Sequence, residues 1–224
     1  MSGDGGGSDA PDDHGGAGAP DDAGGADGSN GDDPHPDPDP EGVDRPDGTD
    51  HDWPVLESAV EYETGWYTGG YDEVEQPDGS RKRYYWAELP DAAVVVSTLD
   101  GDLLMVEQFR PTLREHCLEL PAGIVESGES FAEAGGRELR EETGFEAEEC
   151  RLLQAMNCST GVLRHRRGIV WAEGLSPASR KLDGNEFLAV TAVPVEEALE
   201  RVREPPTNDA TLEGILIARE EGLL

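Results

Sequence analysis

A regular alternation of apolar and polar positions begins near Trp53 and runs to the end of the chain. Residues 54–63 and 81–89 read as strands around a turn at Pro77-Asp78-Gly79. The β-branched run 92–98, the pair Asp100-Gly101 and the apolar stretch 103–108 predict a hairpin, and a short strand over 117–120 stops at Pro121. Over 130–143 the period lengthens to that of a helix. Ser130 followed by Glu133 forms a capping box, and Gly144 is the matching C-terminal stop. Strands resume at 150–157, 169–173 and 187–193. A helix follows Pro194 to about Val202, and another runs from about Asp209 to Glu221. Strands before, between and after helices predict an α+β domain, a mixed sheet with helices packed on it.

Composition sets the boundary of that domain. Residues 1–52 hold 16 acids against one base, Arg45, with many Gly and Pro and a single sizeable aliphatic residue, Val43. Such a segment cannot bury enough apolar surface to offset the entropy of ordering it, so a disordered acidic tail is expected. It has neither the basic start nor the apolar run of a secretory signal. Residues 53–224 carry 34 acids and 16 bases, so the folded part is itself strongly acidic. The chain has two lysines, Lys82 and Lys181, against fifteen arginines. Scarce Lys with abundant Asp and Glu points to a cytoplasm of high salt, where a Debye length of about 3 Å near 1 M suppresses self-repulsion. An ordinary acidic protein is the alternative. Either way the charge argues against general nucleic-acid binding, and no run of about 18 apolar residues suggests a membrane span. Cys117, Cys150 and Cys158 are odd in number and lack CxxC spacing, so buried thiols in a reducing compartment are expected, not a disulfide frame or a zinc site.

The chemistry lies in the helix over 130–143. With Phe131 at zero and 100° per residue, Glu141, Glu138 and Glu142 fall at about 280°, 340° and 20°, one above another. Leu139, Ala132 and Gly136 take the neighbouring arc and can face a sheet, while Arg137, Arg140 and Glu133 take the opposite side. Three carboxylates on one face repel each other. A hard divalent cation such as Mg²⁺, which takes oxygen ligands and shares them with phosphates, turns that cost into binding. A solvated acidic helix is the plain alternative. Gly135 and Gly136 each cost up to about 1 kcal/mol against Ala inside a helix, which close approach to a sheet would explain.

Residues 123–145 as a whole resemble the Nudix box. Gly123, Glu129, Arg137, Glu138, Leu139, Glu141, Glu142 and Gly144 fill its specified positions, with Phe145 as the closing apolar residue. The likeness extends over roughly 60–222. Pro77-Asp78-Gly79, Gln108-Phe109-Arg110 and Leu118-Glu119-Leu120-Pro121-Ala122-Gly123 look like the ADP-ribose pyrophosphatase branch of that family. The resemblance implies a mixed sheet sandwiched between helices and a Mg²⁺-dependent enzyme (Mn²⁺ substituting). It implies cleavage of a nucleoside diphosphate linked to a second moiety, with ADP-ribose giving AMP and ribose 5-phosphate. Glu138 and Glu142 would be the main metal ligands, with Glu141 sharing a metal directly or through water and the Ala122 carbonyl joining the shell. Glu129 would brace the loop through Arg137; for Arg137 an i,i+4 pair with Glu133 is the alternative. Arg110 and Glu119 would line the substrate site. Glu186, in the late loop Asp183-Gly184-Asn185-Glu186-Phe187, matches the branch's catalytic base or metal-linked water ligand and would serve the step with Glu141 and Glu142. A homodimer is implied by the resemblance alone.

One stretch departs from the branch. Its usual Ser-Pro-Gly turn and following acids are replaced by Ser159-Thr160-Gly161 and then Arg164-His165-Arg166-Arg167. Arg164 and Arg166 would meet phosphate oxygens, or they balance nearby carboxylates. Trp66, Tyr67, Tyr71 and Trp86 would stack a nucleobase or pack a core. Other nucleoside diphosphate sugars or triphosphates remain alternative substrates. A nucleotide-sensing module without catalysis is the alternative of a different class, which the intact box disfavours.

Overall fold

A computed structural model of the protein describes residues 53–182 and 187–224. The segment 1–52, with the expected tail, and the segment 183–186, with Glu186, lie outside the described residues.

The first three strands, β1 (Val55–Glu63), β2 (Thr68–Glu75) and β3 (Arg81–Glu88), form an antiparallel meander. The turn at 77–79 joins β2 to β3, so the strand expected directly before it is β2 and not β1. β2 escapes a pattern reading because its sequence, TGGYDEVE, holds two glycines and three acids, all poor strand formers. Its glycine is nonetheless required: a Cβ on Gly70 would lie 2.2 Å from the Ala59 carbonyl oxygen of β1. This sheet is lightly packed. Val55, Val60, Tyr62 and Tyr85 are all more than half exposed.

The second sheet is built from β4 (Ala92–Leu99), β5 (Asp102–Arg110), β6 (Glu115–Glu119), β7 (Ala122–Ile124), β9 (Glu149–Asn157), β11 (Arg166–Glu173) and β13 (Leu188–Pro194). Its order is β13-β5-β4-β11-β9, with β6 paired to β5 and β7 paired to β4. A two-residue strand β10 (Leu163–Arg164) joins β3 in parallel, and β8 (Phe145–Glu146) pairs with β12 (Ser176–Pro177). The sheet is mixed because β11 runs parallel to β4 and antiparallel to β9. Both of its faces are covered. Ala93, Val95, Val170 and Ala172 pack against α1 (Phe131–Thr143) through Ala134 and Leu139. Val94, Val96, Ile169 and Trp171 pack with α2 (Val195–Arg201) and α3 (Asp209–Glu220) through Ala198, Ile215 and Ala218. Burial on both faces explains why these strands read as continuous apolar runs.

The predicted hairpin of β4 and β5 is real only at its turn, where Thr98 pairs with Leu103 and Leu99 with Asp102. Beyond that the strands part. β4 is taken up by β7 and β11, and β5 by β6 and β13. The chain from Glu119 to Ala122 therefore crosses the split, and the Pro121 carbonyl accepts the Val95 N–H at 2.8 Å.

Candidate active site

The crossing segment is where the box helix comes to rest. α1 starts with the expected capping box at Ser130 and Glu133 and ends on Gly144 in the left-handed region, φ 77°. Its sheet-facing residues are Ala134, Gly135 and Leu139, with Glu138, Glu142 and Thr143 also buried; Ala132 and Gly136 lie farther out. Glycine at 135 permits this approach, since a Cβ there would already stand 3.1 Å from the Val170 side chain. Gly123 permits a closer one. A Cβ on Gly123 would sit 2.0 Å from the Glu138 carboxyl carbon, so the absence of a side chain is what lets Glu138 lie on the β7 backbone. Glu142, one turn later, accepts the Ala122 N–H at 3.1 Å. Glu138 and Glu142 are 8% and 3% exposed, although buried carboxylates are costly unless they are bonded or paired.

Arg137 organises the rest. Its Nε and Nη2 grip the two oxygens of Glu129, each at 2.9 Å, and Nη2 also donates to the Ile124 carbonyl at 2.8 Å. Its Nη1 reaches Glu138 at 2.7 Å and Glu141 at 3.2 Å. Arg137 thus ties the loop to the helix through Glu129, while Glu133 is engaged with Ser130 in the cap. The bond from Arg137, with a backbone bond from Glu126, holds the Glu129 carboxyl below its ordinary range against the opposing effect of burial. The Arg137 guanidinium is held well above its ordinary value, chiefly by its bonds to Glu129 and Glu138.

These residues suit a hard divalent cation by their chemistry: three carboxylates, a backbone carbonyl segment and a glycine cradle. Among the described residues, however, no three acid, His or Cys side chains are gathered around one point. Arg137 Nη1 stands between Glu138 and Glu141 and supplies positive charge there.

Beside the box, Arg110 and Glu119 form a two-pronged ion pair, with Arg110 Nε 3.2 and 3.0 Å from the Glu119 oxygens and Nη2 bonded as well. Burial alone would ease the proton off Arg110. The Glu119 bonds and the nearby Glu142 charge outweigh it and raise the guanidinium above its ordinary value. Arg110 and Glu142 therefore share one electrostatic neighbourhood. Glu119 also accepts from Gln108 at 2.9 Å and Asn208 at 2.8 Å. Asn208 carries no motif signal; its only sequence sign is its place before the third helix.

The basic stretch lies elsewhere. Arg164, on β10, pairs with Asp72 and lies 3.9 Å over the Trp86 ring. Arg166 is 3.7 Å from Asp91 and 5.2 Å over Phe131, and Arg167 pairs with Glu213 and Asp209. In these contacts the arginines balance carboxylates. With His165, Thr160 and Asn157, Arg164 and Arg166 line a cleft of about 490 Å³. Of the aromatics, Tyr71 is buried, Trp86 underlies Arg164, and Trp66 is 68% exposed. The flanks of the late loop are held at the end of α1. The Lys181 N–H donates to the Glu141 carbonyl at 3.2 Å, and Arg180 donates to the carbonyls of Glu142 and Leu188. Glu186 itself lies outside the described residues.

Comparison with known proteins agrees with this geometry. The NUDIX domain model matches residues 88–213. An ADP-ribose pyrophosphatase of Bacillus subtilis is 35% identical over 142 residues, covering 62% of this chain and 77% of that protein. An ADP-sugar pyrophosphatase of Mus musculus is 37% identical over 124 residues, covering 50% of this chain and 56% of that protein. A crystal structure of an ADP compounds hydrolase shares the fold, with a TM-score of 0.70 at 24% identity over 77% of this chain and 97% of that one. The box on α1, its seat against β7 and the match over 88–213 place this chain in the Nudix family of hydrolases.

Proposed function

We propose that the chain hydrolyses a nucleoside diphosphate linked to a second moiety, with ADP-ribose as the substrate and AMP and ribose 5-phosphate as products. The observation that carries this reading is the buried Glu142, on the same helix as buried Glu138 and seated on the Ala122 N–H, within the electrostatic reach of Arg110. The relatives named for ADP-ribose and ADP-sugars support it.

Glu138, Glu141, Glu142 and the Ala122 carbonyl are the groups that would hold Mg²⁺, or Mn²⁺ in its place. Bound there, the metal neutralises diphosphate oxygens and lowers the pKa of water. Arg110, fixed by Glu119, would present its remaining guanidinium edge to a phosphate, since 41% of its side-chain surface stays exposed. Glu186 would take the proton from the attacking water, on a loop whose flanks are anchored beside Glu141 and Glu142. Water oxygen bonds to one phosphorus as the bridging P–O bond breaks, so each product leaves with one phosphate. The test is a hydrolysis screen over ADP-ribose, NADH, nucleotide sugars, dinucleoside polyphosphates and dNTPs with Mg²⁺ in molar KCl. Preference for a triphosphate would overturn the substrate.

We also infer a catalytic unit of residues 53–224 working in a salt-rich cytoplasm. Among the described residues no helix is long and apolar enough to cross a membrane. Deleting 1–52 should leave kcat/KM within about twofold, because the segment has no means to wall a pocket; a large loss would move the boundary. The exposed apolar side chains of β1 and β3 support a homodimer, which light scattering of the purified chain would check.

A further inference from the structure

Glu119 is 3% exposed, yet it touches three donor side chains: Arg110, Gln108 and Asn208. A carboxylate offers about four lone-pair sites, and these donors take them up. A group so occupied holds its neighbours in place; it has little left for a ligand. The question is what fixes Glu119 itself, since a Glu carboxylate turns easily about its last torsion.

Asn208 answers it. This residue is the N-cap of α3, and its Oδ1 accepts the Thr211 N–H at 3.0 Å. Its other amide atom, Nδ2, donates to Glu119 Oε1 at 2.8 Å. The two bonds fix the sense of the amide, because a flip would lose both and set oxygen against oxygen. The first turn of α3 is tied to the same stretch of chain a second time, just past the end of β6, where Thr211 Oγ1 accepts the buried Leu120 N–H at 3.1 Å. Gln108 holds the opposite oxygen, Oε2, at 2.9 Å. The carboxylate plane is therefore set from α3 on one side and β5 on the other, and the Arg110 fork is set by that plane.

We infer that Asn208 is a positioning residue for Arg110: through Glu119, the cap of α3 aims the guanidinium edge that meets substrate phosphate. This rests on the reading of Arg110 as a phosphate ligand. Capping alone cannot account for the choice of residue. Ser and Asp cap helices about as well as Asn, but Ser is too short to reach Glu119, and Asp would set a second carboxylate against it.

The experiment compares Asn208→Ser and Asn208→Asp in the full chain, with ADP-ribose and Mg²⁺ in molar KCl. KM should rise about threefold in the Ser variant and about tenfold in the Asp variant, with kcat within about twofold and Tm within a few degrees of the parent. The Arg110 Nε–Hε resonance, assigned by its loss in Arg110→Lys, should shift or broaden in both variants without any substrate present. Unchanged KM and an unchanged Arg110 signal would overturn the inference. So would losses that follow Tm alone in both variants, since that marks a helix cap and nothing more. Should the Asp variant not fold, the Ser variant decides. Should the parent not cleave ADP-ribose, the substrate reading fails while the Arg110 resonance still decides the role of Asn208.

Discussion

Two arginines in this protein stand at the centre of carboxylate clusters, and the clusters differ in their balance of charge. Arg137 meets Glu129, Glu138 and Glu141, with Glu142 one turn beyond Glu138 along α1. Arg164 meets chiefly Asp72, with Glu88 at 4.0 Å, and lies over the Trp86 ring. Burial would raise the Asp72 carboxyl, but bonds from Ser58 and Trp86 and the Arg164 charge together hold it below its ordinary range. The second cluster is nearly closed: one cation, one well-bonded anion and an aromatic face. The first gathers four carboxylates, of which Glu138 and Glu142 are buried, beside Arg137 and the nearby charge of Arg110, a surplus of acids over these two arginines. A gathering of that kind suits a site that takes up a divalent cation with its substrate. Arginine beside carboxylates is thus no mark of a site by itself; the imbalance is.

The largest expected effect comes from reducing the surplus. Glu142→Gln keeps the shape and removes one charge, so kcat should fall by on the order of 10²-fold, and EDTA should abolish activity in the parent. Activity within threefold of the parent would mean the surplus has no catalytic use. Next in size is Glu186→Gln, which leaves the cluster's own charge intact. It should lower kcat by about tenfold or more with little change in KM, and should affect metal affinity less than Glu142→Gln does. If that variant is silent, proton transfer belongs to the box glutamates.

Salt acts on both clusters and on the net −18 of residues 53–224. Tm should climb steadily from 0.1 to 3 M KCl as the Debye length shrinks to about 3 Å and below; a flat series would remove support for a high-salt origin. The smallest effect is expected at the balanced cluster. Arg164→Ala should cost about 1 kcal/mol, mostly the stacking on Trp86, because the partly exposed ion pair is screened. That is a Tm shift of about 2–4 °C with KM nearly constant. A several-fold rise in KM would instead make Arg164 a substrate ligand and end the contrast between the clusters.

What the chain determined alone is whatever rests on local physics. The ends of α1 follow from Ser130, Glu133 and Gly144, whose bonds close within a few residues. The core strands follow from apolar runs that suit burial on both faces, and the grouping of Glu138, Glu141 and Glu142 follows from their spacing along one helix. The rest depended on contacts between residues far apart in sequence. β2 exists because β1 and β3 flank it, and its own residues do not favour a strand. The tie of Arg137 to Glu129 was implied by the family resemblance, but the partner of Arg164 could not be chosen from sequence in a chain with 50 acids, since any of many carboxylates would satisfy the same charge. Only the fold brings Asp72 to Arg164, 92 residues away, and Asn208 to Glu119, 89 residues away. Hydrogen bonds are short and directional, so their partners are decided by where the backbone has already been placed.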